Sequence, residues 1–140
     1  MRSVESFIRL FREQGLKITP QRRLIFGLLA GDDTHPTAEE VYRRVRAVMP
    51  EVSRTTVYNT LRELVALGGL APVDNLSKEG TRYDTNTDHH HHLFCAKCHA
   101  LVDIDRDFEG IELPQEEAKG FRLVDYQVTF FGYCPDCQAD

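Results

Sequence analysis

Four segments in the first half of the chain carry apolar residues at intervals of three and four, the spacing of an amphipathic helix. A residue that can cap a helix amino terminus precedes each segment: Ser3, Thr19, Thr37 and Ser53. Each segment closes near a residue that ends helices: Gly15, Gly31, Pro50 and Gly68. The pattern therefore predicts four successive helices.

Two short strand segments, residues 70–73 and 81–84, follow the helices and are joined by a polar turn around residues 77–80. Helices followed by a small hairpin are typical of a winged helix-turn-helix, whose recognition helix enters the major groove of DNA. The fourth helix offers side chains suited to that groove: Arg54, Thr55, Thr56, Tyr58 and Asn59. Ordinary surface helices also carry arginine and threonine, so the pattern favours DNA binding without requiring it.

The second half of the chain predicts a small sheet. Residues 93–95, 99–105 and 121–131 have strand character, and the last segment is rich in β-branched and aromatic side chains. Residues 112–119, with Pro114 near their start, predict a short helix. Such a sheet has an open edge and exposed apolar surface, both of which a two-fold partner could cover.

Charge divides the 140-residue chain into two unlike parts. The formal net charge of −5 argues against nucleic acid, yet residues 1–72 carry 11 Lys and Arg against 8 Asp and Glu. Residues 73–140 carry 6 against 14. A basic part suits phosphate and an acidic part suits metal ions. With no apolar signal segment at its start and no apolar run of membrane-spanning length, the sequence predicts a cytoplasmic protein without a membrane partner.

All four cysteines lie in two C-x-x-C motifs, Cys95 with Cys98 and Cys134 with Cys137, separated by 35 residues. Two such pairs supply the four thiolates of a structural Zn²⁺ site. A disulfide fits a cytoplasmic chain less well. A thioredoxin-like redox pair fits less well again, because neither motif lies between a strand and a helix of a βαβ unit.

Four consecutive histidines, His89 to His92, run into the first cysteine motif. In an extended segment, His90 and His92 share one face while His89 and His91 share the other. Imidazoles two residues apart can chelate a divalent metal. A solvated linker and a purification tag are the alternatives, and the run does not itself say which histidines bind.

Several motifs, in order, resemble the ferric uptake regulator family. They are Gly15-Leu16-Lys17-Ile18-Thr19-Pro20-Gln21-Arg22, His35-Pro36-Thr37-Ala38, Ser53-Arg54-Thr55-Thr56-Val57-Tyr58, and the histidine run before Cys95. The resemblance implies a homodimeric, metal-dependent transcriptional repressor that binds a double-stranded DNA operator, with structural zinc on the four cysteines. It adds Lys17 and Arg22 to the DNA-binding candidates.

The resemblance and the patterns together predict an α+β chain. An N-terminal winged helix-turn-helix domain (1–84) and a hinge (85–92) precede a small α/β dimerisation domain with a zinc site (93–140).

The same resemblance implies a regulatory metal site whose ligands fall on His35, Asp84, His90, His92 and Asp103. Three imidazoles and two carboxylates suit Fe²⁺ or Mn²⁺ better than a thiolate-seeking ion. Zinc-responsive members of the family place a cysteine in this site, and here all four cysteines belong to the two motifs.

Aspartate at position 103 resembles the peroxide-sensing members, since iron-responsive members usually have glutamate there. The resemblance then implies that Fe²⁺ reacts with hydrogen peroxide and that His35 or His90 is oxidised, which releases DNA. A regulator of iron, manganese or nickel supply is the alternative.

A third, weak metal site could form from His89, His91 and Glu109, although Tyr126 replaces a histidine usual in iron regulators. From other classes of function, a metallohydrolase would need His90, His92 and an aspartate to hold a catalytic ion. The sequence supplies no evident general base for it, so we expect no enzyme. A metal-storage protein would explain the histidines but not the basic first half.

Overall fold

The computed structural model describes residues 2–73, 80–88 and 90–138. The chain divides into two compact units, Met1–Asp88 and His89–Asp140. None of the helices in the described ranges is both long and apolar enough to cross a membrane.

The first unit contains the four predicted helices, which are confirmed. They are α1 (Val4–Glu13), α2 (Pro20–Leu29), α3 (Ala38–Val48) and α4 (Arg54–Ala66). Each begins at its predicted cap, and the Thr37 hydroxyl accepts the Glu40 N–H at 3.2 Å while the Glu40 carboxylate accepts the Thr37 N–H, a reciprocal capping box.

Aromatic rings form the centre of the first unit. Phe26 on α2 packs against Phe7 and Phe11 of α1, with ring centroids 5.6 and 5.0 Å apart. The helices place their apolar faces on this centre, and the buried set continues through Ile25, Leu29, Val41, Val45, Val57, Leu61 and Leu64.

The predicted wing is an antiparallel hairpin of β1 (Ala71–Val73) and β2 (Arg82–Asp84). Most of the predicted turn, residues 77–79, lies outside the described residues. A bridge between Thr37 and Arg82 joins β2 to the segment that caps α3, so the hairpin is fixed to the helical part of its unit.

The second unit is built on one three-stranded sheet with the order β4-β3-β5. The central strand β3 (His91–Cys95) pairs antiparallel with β4 (Leu101–Ile104) and parallel with β5 (Thr129–Gly132). A short 3-10 helix, Pro135–Cys137, follows β5.

Two predicted elements of this unit are wrong. Only the end of the predicted 121–131 strand forms, because the ladder with β3 starts at the pair His92 and Thr129 and the described residues supply no strand partner before it. In place of the predicted helix over residues 112–119, residues 112–114 are irregular and residues 115–119 form hydrogen-bonded turns. Almost all of that segment is exposed, so no packing stabilises so short a helix.

Candidate metal centres and DNA-binding surface

The four cysteine sulfurs lie together at one end of the sheet of the second unit, all within 4.8 Å of one another. Cys95 ends β3, Cys134 follows β5, and the 3-10 helix brings Cys137 back to the cluster. The Cys98 and Cys134 Sγ atoms are 3.8 Å apart. Tetrahedral zinc with bonds of about 2.3 Å requires sulfurs about 3.8 Å apart, so this set fits zinc.

Backbone amides stabilise one thiolate of the cysteine cluster. The N–H groups of Cys134 and Cys98 both donate to the Cys95 Sγ at 3.4 Å, and they lower the pKa of Cys95 to about 5. Cys137 is the opposite case, because its hydrogen bond with the Cys134 side chain raises its pKa to about 12. Without a cation the cluster resists full ionisation, whereas a bound dication stabilises all four thiolates at once.

A second set of predicted metal ligands lies in the first unit, with His35 in the loop between α2 and α3 and Asp84 at the end of β2. The Nε2 of His35 is 3.2 Å from the Oδ2 of Asp84, and both side chains are buried. His35 has a positive φ of 55°, a conformation uncommon for a residue other than glycine. An imidazole and a carboxylate at this distance can share a cation.

Strand β2 holds His35 in that conformation. The buried Arg82 guanidinium donates to the His35 carbonyl at 3.0 Å, and the Tyr83 N–H donates to the Pro36 carbonyl at 2.9 Å. Asp84, on the same strand, faces the His35 ring. Arg82 was missed in the sequence analysis, since its only local signal was a charged residue within a predicted strand.

Asp32 closes the other side of this loop. Its carboxylate accepts hydrogen bonds from the N–H and hydroxyl of Thr34, at 2.8 and 2.6 Å, and pairs with Arg44 at 2.6 Å. Burial acts to raise the pKa of Asp32, but the Thr34 hydrogen bonds and the Arg44 charge together lower it. The Asp32 carbonyl also accepts the Thr85 hydroxyl. The Asp-x-Thr spacing is a local turn signal that could have been read from the sequence.

A third set of predicted ligands lies in the second unit, at the start of β3 and on β4. The Nε2 atoms of His90 and His92 are 3.3 and 3.4 Å from one carboxylate oxygen of Asp103. His92 and Asp103 are paired residues of the β3–β4 ladder, so the sheet register places them opposite each other. Two imidazoles and a carboxylate converge here, on the face predicted from the alternation of the run.

His91 faces the other way and packs among aromatic rings. It is fully buried between Phe108 and Tyr126, with ring centroids 5.2 and 5.1 Å from its own. Its Nδ1 accepts the Val128 N–H at 3.0 Å, and the Tyr126 hydroxyl bonds both backbone groups of Phe108. His91 thereby fastens the segment before β5 to the central strand.

The candidate third metal site is not assembled in the described part of the chain. His89 lies outside the described residues, and Glu109 is exposed. Neither His91 nor Glu109 belongs to a cluster of three ligands there. With Nδ1 of His91 bound to a backbone amide, only its Nε2, which lies 3.4 Å from Asp107, is left to meet a cation.

An open depression of about 540 Å³ in the first unit contains several of the DNA-binding candidates. It is lined by Gly15, Leu16, Lys17, Thr19, Gln21, Arg22, Thr56, Asn59 and Thr60. Lys17 approaches it from the loop before α2, and Thr56 and Asn59 from α4. Arg22 is held in place by Glu63 and the Lys17 carbonyl, at 2.8 and 2.7 Å, and lies over the Phe11 ring, so it also has a structural role.

Arg54, Thr55 and Tyr58 are exposed on the amino-terminal half of α4. Arg54 and Tyr58 both contact the Oε2 of Glu39 on α3, Tyr58 at 3.3 Å. The Arg54 guanidinium also lies over the Tyr42 ring, 4.4 Å from its centroid.

Comparisons with known proteins match nearly the whole chain to one family of regulators. A sequence model of the ferric uptake regulator family matches residues 13–131. The peroxide-responsive repressor PerR of Staphylococcus aureus is 33% identical over 140 residues, covering 96% of this chain and 91% of that protein.

Solved structures have the same fold. The Helicobacter pylori ferric uptake regulator Fur, described as having three functional metal-binding sites, superposes with a TM-score of 0.74 at 24% identity, covering 99% of this chain and 96% of that one. A zinc-bound manganese uptake regulator superposes with a TM-score of 0.67 at 31% identity, covering 95% and 99%.

Replacing Cys134 by serine should remove zinc and structure together. The change leaves three thiolates and takes away the anchor of the strand before it, and binding in closed sites is coupled to folding. We expect the zinc content, measured by inductively coupled plasma mass spectrometry, to fall from one ion per chain to well below one, with loss of the second unit's chemical-shift dispersion. Ser77→Ala is a control far along the chain from the cysteine motifs, and a zinc-free C134S chain with an intact second unit would contradict the assignment.

Replacing His91 by phenylalanine should destabilise the second unit without changing metal content. Phenylalanine keeps the ring stack but leaves the Val128 N–H without its acceptor, which costs about 1–3 kcal/mol when buried. The measurements are denaturant unfolding and metal stoichiometry by mass spectrometry. His91→Asn, which retains an acceptor near the position of Nδ1, serves as the comparison for the hydrogen bond. Loss of a bound metal ion from H91F at unchanged stability would instead favour the third metal site.

Proposed function

The chain belongs to the ferric uptake regulator family, and we propose that it is a metal-dependent repressor that binds operator DNA as a homodimer and senses hydrogen peroxide. The observation that carries the proposal is the presence of two incomplete sets of metal ligands. His35 with Asp84 in the first unit, and His90, His92 and Asp103 in the second, are each preorganised and each too small to enclose an ion.

From the likeness to the family, we infer that Fe²⁺ or Mn²⁺ is the ion that these imidazoles and carboxylates bind. Three imidazole nitrogens and two carboxylates make a mixed N/O set with no sulfur, which suits these ions. Both sets already have ring nitrogens within 3.4 Å of a carboxylate oxygen, so little side-chain movement is needed for each set to receive a cation. Because this ligand set contains no cysteine, all four cysteine thiolates belong to the separate zinc cluster.

Such an ion would act on the DNA-binding elements through the backbone. Asp84 ends the wing strand β2, and His35 lies in the loop immediately before α3, the first helix of the helix-turn-helix. Arg82 and Tyr83 already join this strand and loop. Metal binding at His35 and Asp84 would therefore restrain the wing and the helices as one body.

The DNA-binding surface proposed here combines the 540 Å³ depression with the start of α4. In a helix-turn-helix, residues at the amino-terminal end of the recognition helix contact base edges, while surrounding cations contact phosphates. Thr55 has the first position and Lys17 the second. Arg54 and Tyr58, whose polar ends meet at Glu39, are placed to contact a backbone phosphate.

A second copy of the chain is the proposed partner of the sheet. Leu93, Val102, Phe130, Phe131 and Tyr133 are exposed and line one apolar depression of about 360 Å³ with Phe94. Apolar surface collected in one place marks an interaction site more often than scattered residues do. A two-fold pair would bury the same surface on both copies and present two DNA-binding units.

Peroxide sensing is supported by Asp103 and by the 33% identity to PerR of Staphylococcus aureus. Bound ferrous iron would supply one electron to split the O–O bond of hydrogen peroxide and would recover one electron when the oxygen adds to the imidazole ring. One oxygen atom then replaces a C–H bond of His35 or His90 with a C–O bond, and the other leaves as water. An oxidised imidazole binds metal poorly, and DNA is released. Sensing of metal supply is the second candidate, favoured by the 31% identity to a manganese uptake regulator.

Removing the charge of Lys17 should weaken DNA binding by one phosphate contact. A duplex is first selected from a random-sequence pool with Mn²⁺-loaded protein, and failure to select any duplex would contradict the proposed function. Lys17→Gln should lower affinity and reduce the slope of log K against log salt concentration by about 0.9, the value for one phosphate on duplex DNA. Arg122→Gln removes an equal charge from the second unit and should leave the slope unchanged.

Peroxide should release DNA only from the iron-loaded protein. We expect dilute hydrogen peroxide to abolish the gel shift of the Fe²⁺ form, with one oxygen atom added to His35 or His90 by peptide mass spectrometry, and to leave the Mn²⁺ form bound. Asp103→Glu keeps the charge and should preserve metal-dependent binding with much lower sensitivity to peroxide. If the Fe²⁺-loaded wild type stays bound to the operator and both histidines are unmodified, peroxide sensing is contradicted and the metal-supply regulator is favoured.

A further inference from the structure

Glu39 on α3 contacts two of the predicted DNA-binding side chains of α4, Arg54 and Tyr58. Its Oε2 atom accepts hydrogen bonds from the Arg54 guanidinium and from the Tyr58 hydroxyl, the latter at 3.3 Å. One anionic oxygen between a guanidinium and a phenol is the arrangement that a DNA phosphate oxygen would itself adopt on this surface.

The surroundings of Glu39 favour this position. Glu39 lies in the first turn of α3, where a carboxylate interacts favourably with the amino-terminal end of the helix. Tyr42, one turn later, lies under the Arg54 guanidinium at 4.4 Å and fixes its plane. Glu39 also raises the pKa of Arg54 through their hydrogen bond, as expected for a direct ion pair.

The pair is well placed to open. The side chains of Arg54 and Glu39 are 57% and 36% exposed, so water and salt screen their attraction. A DNA phosphate can therefore displace the carboxylate, but the displacement leaves the Glu39 charge unpaired beside a polyanion.

We propose that Glu39 is an intramolecular competitor of the DNA backbone, which occupies Arg54 and Tyr58 in the free protein and sets a ceiling on affinity for DNA. This rests on the proposed DNA-binding function. In the free protein the Glu39 carboxylate already neutralises the Arg54 charge. When Arg54 moves to a DNA phosphate, that phosphate is neutralised but Glu39 loses its partner, so the number of neutralised charges does not increase. Because phosphate contacts carry no sequence information, the effect applies equally to any duplex.

The test compares Glu39→Gln with wild type in the zinc- and Mn²⁺-loaded 140-residue chain. The probes are the selected duplex and a scrambled duplex of equal length. We expect E39Q to bind both duplexes about 3- to 10-fold more tightly. We also expect the slope of log K against log salt concentration to steepen by about 0.9, because Arg54 now neutralises one more phosphate.

Two controls separate this role from a general charge effect. Glu116→Gln makes the same change in net charge on an exposed position of the second unit and should alter neither affinity nor slope. In an Arg54→Ala background, E39Q should no longer steepen the slope. Thermal unfolding of each variant verifies that the protein is folded.

The outcomes are distinct. Unchanged or weaker binding by E39Q, a steeper slope that persists without Arg54, or a gain confined to the selected duplex would each overturn the inference. In the last case Glu39 would be reading a base instead of competing with the backbone. If wild type binds no duplex at all, the proposed function itself fails, and the role of Glu39 fails with it.

Discussion

The alternation of side chains along β3 is the constraint on which the second unit depends. Successive residues of a strand point to opposite faces, so one short run of histidines is divided between two tasks. His92 meets Asp103 across the β3–β4 ladder, while His91 is buried between Phe108 and Tyr126. The same strand then delivers Cys95 to the sulfur cluster. A shift of one residue in register would exchange these faces and disable all three contacts.

The sulfur cluster compensates for a small core. Among the described residues of the second unit, the buried apolar side chains are few: Phe94, Cys95 and Leu101. A unit of this size buries too little surface to be stable by hydrophobic packing alone, and a structural metal is one of the usual remedies. The first cysteine pair begins at the end of β3 and the second follows β5, so a single ion ties the ends of these two strands together.

The first unit orients its predicted metal ligands in a different way. His35 adopts a positive φ in a loop, a conformation that persists only where the surroundings enforce it. The enforcing contacts come from β2, through the Arg82 guanidinium and the Tyr83 N–H, and from the turn built on Asp32. The strand that supplies Asp84 is thus the strand that orients His35, and the wing and the ligands are parts of one local structure.

The sequence by itself determined the features whose causes are local. Caps at Ser3, Thr19, Thr37 and Ser53 define the helices, because a cap acts within one turn. The spacing of the cysteines predicted the cluster, and the alternation of the histidine run predicted which of its members share a face.

Tertiary structure decided everything that needed a distant partner. Residues 121–128 have strand propensity, but a strand also requires a neighbour, and β3 pairs only from Thr129 onward. The sequence makes His91 a candidate ligand, whereas in the fold its ring lies between aromatic rings and its Nδ1 accepts the Val128 N–H. The contacts of Arg54 with Glu39 and of Arg82 with His35 join residues 15 and 47 positions apart, which no local pattern encodes. Propensity and capping are properties of neighbouring residues, whereas pairing, burial and ion contacts depend on which surfaces the folded chain brings together.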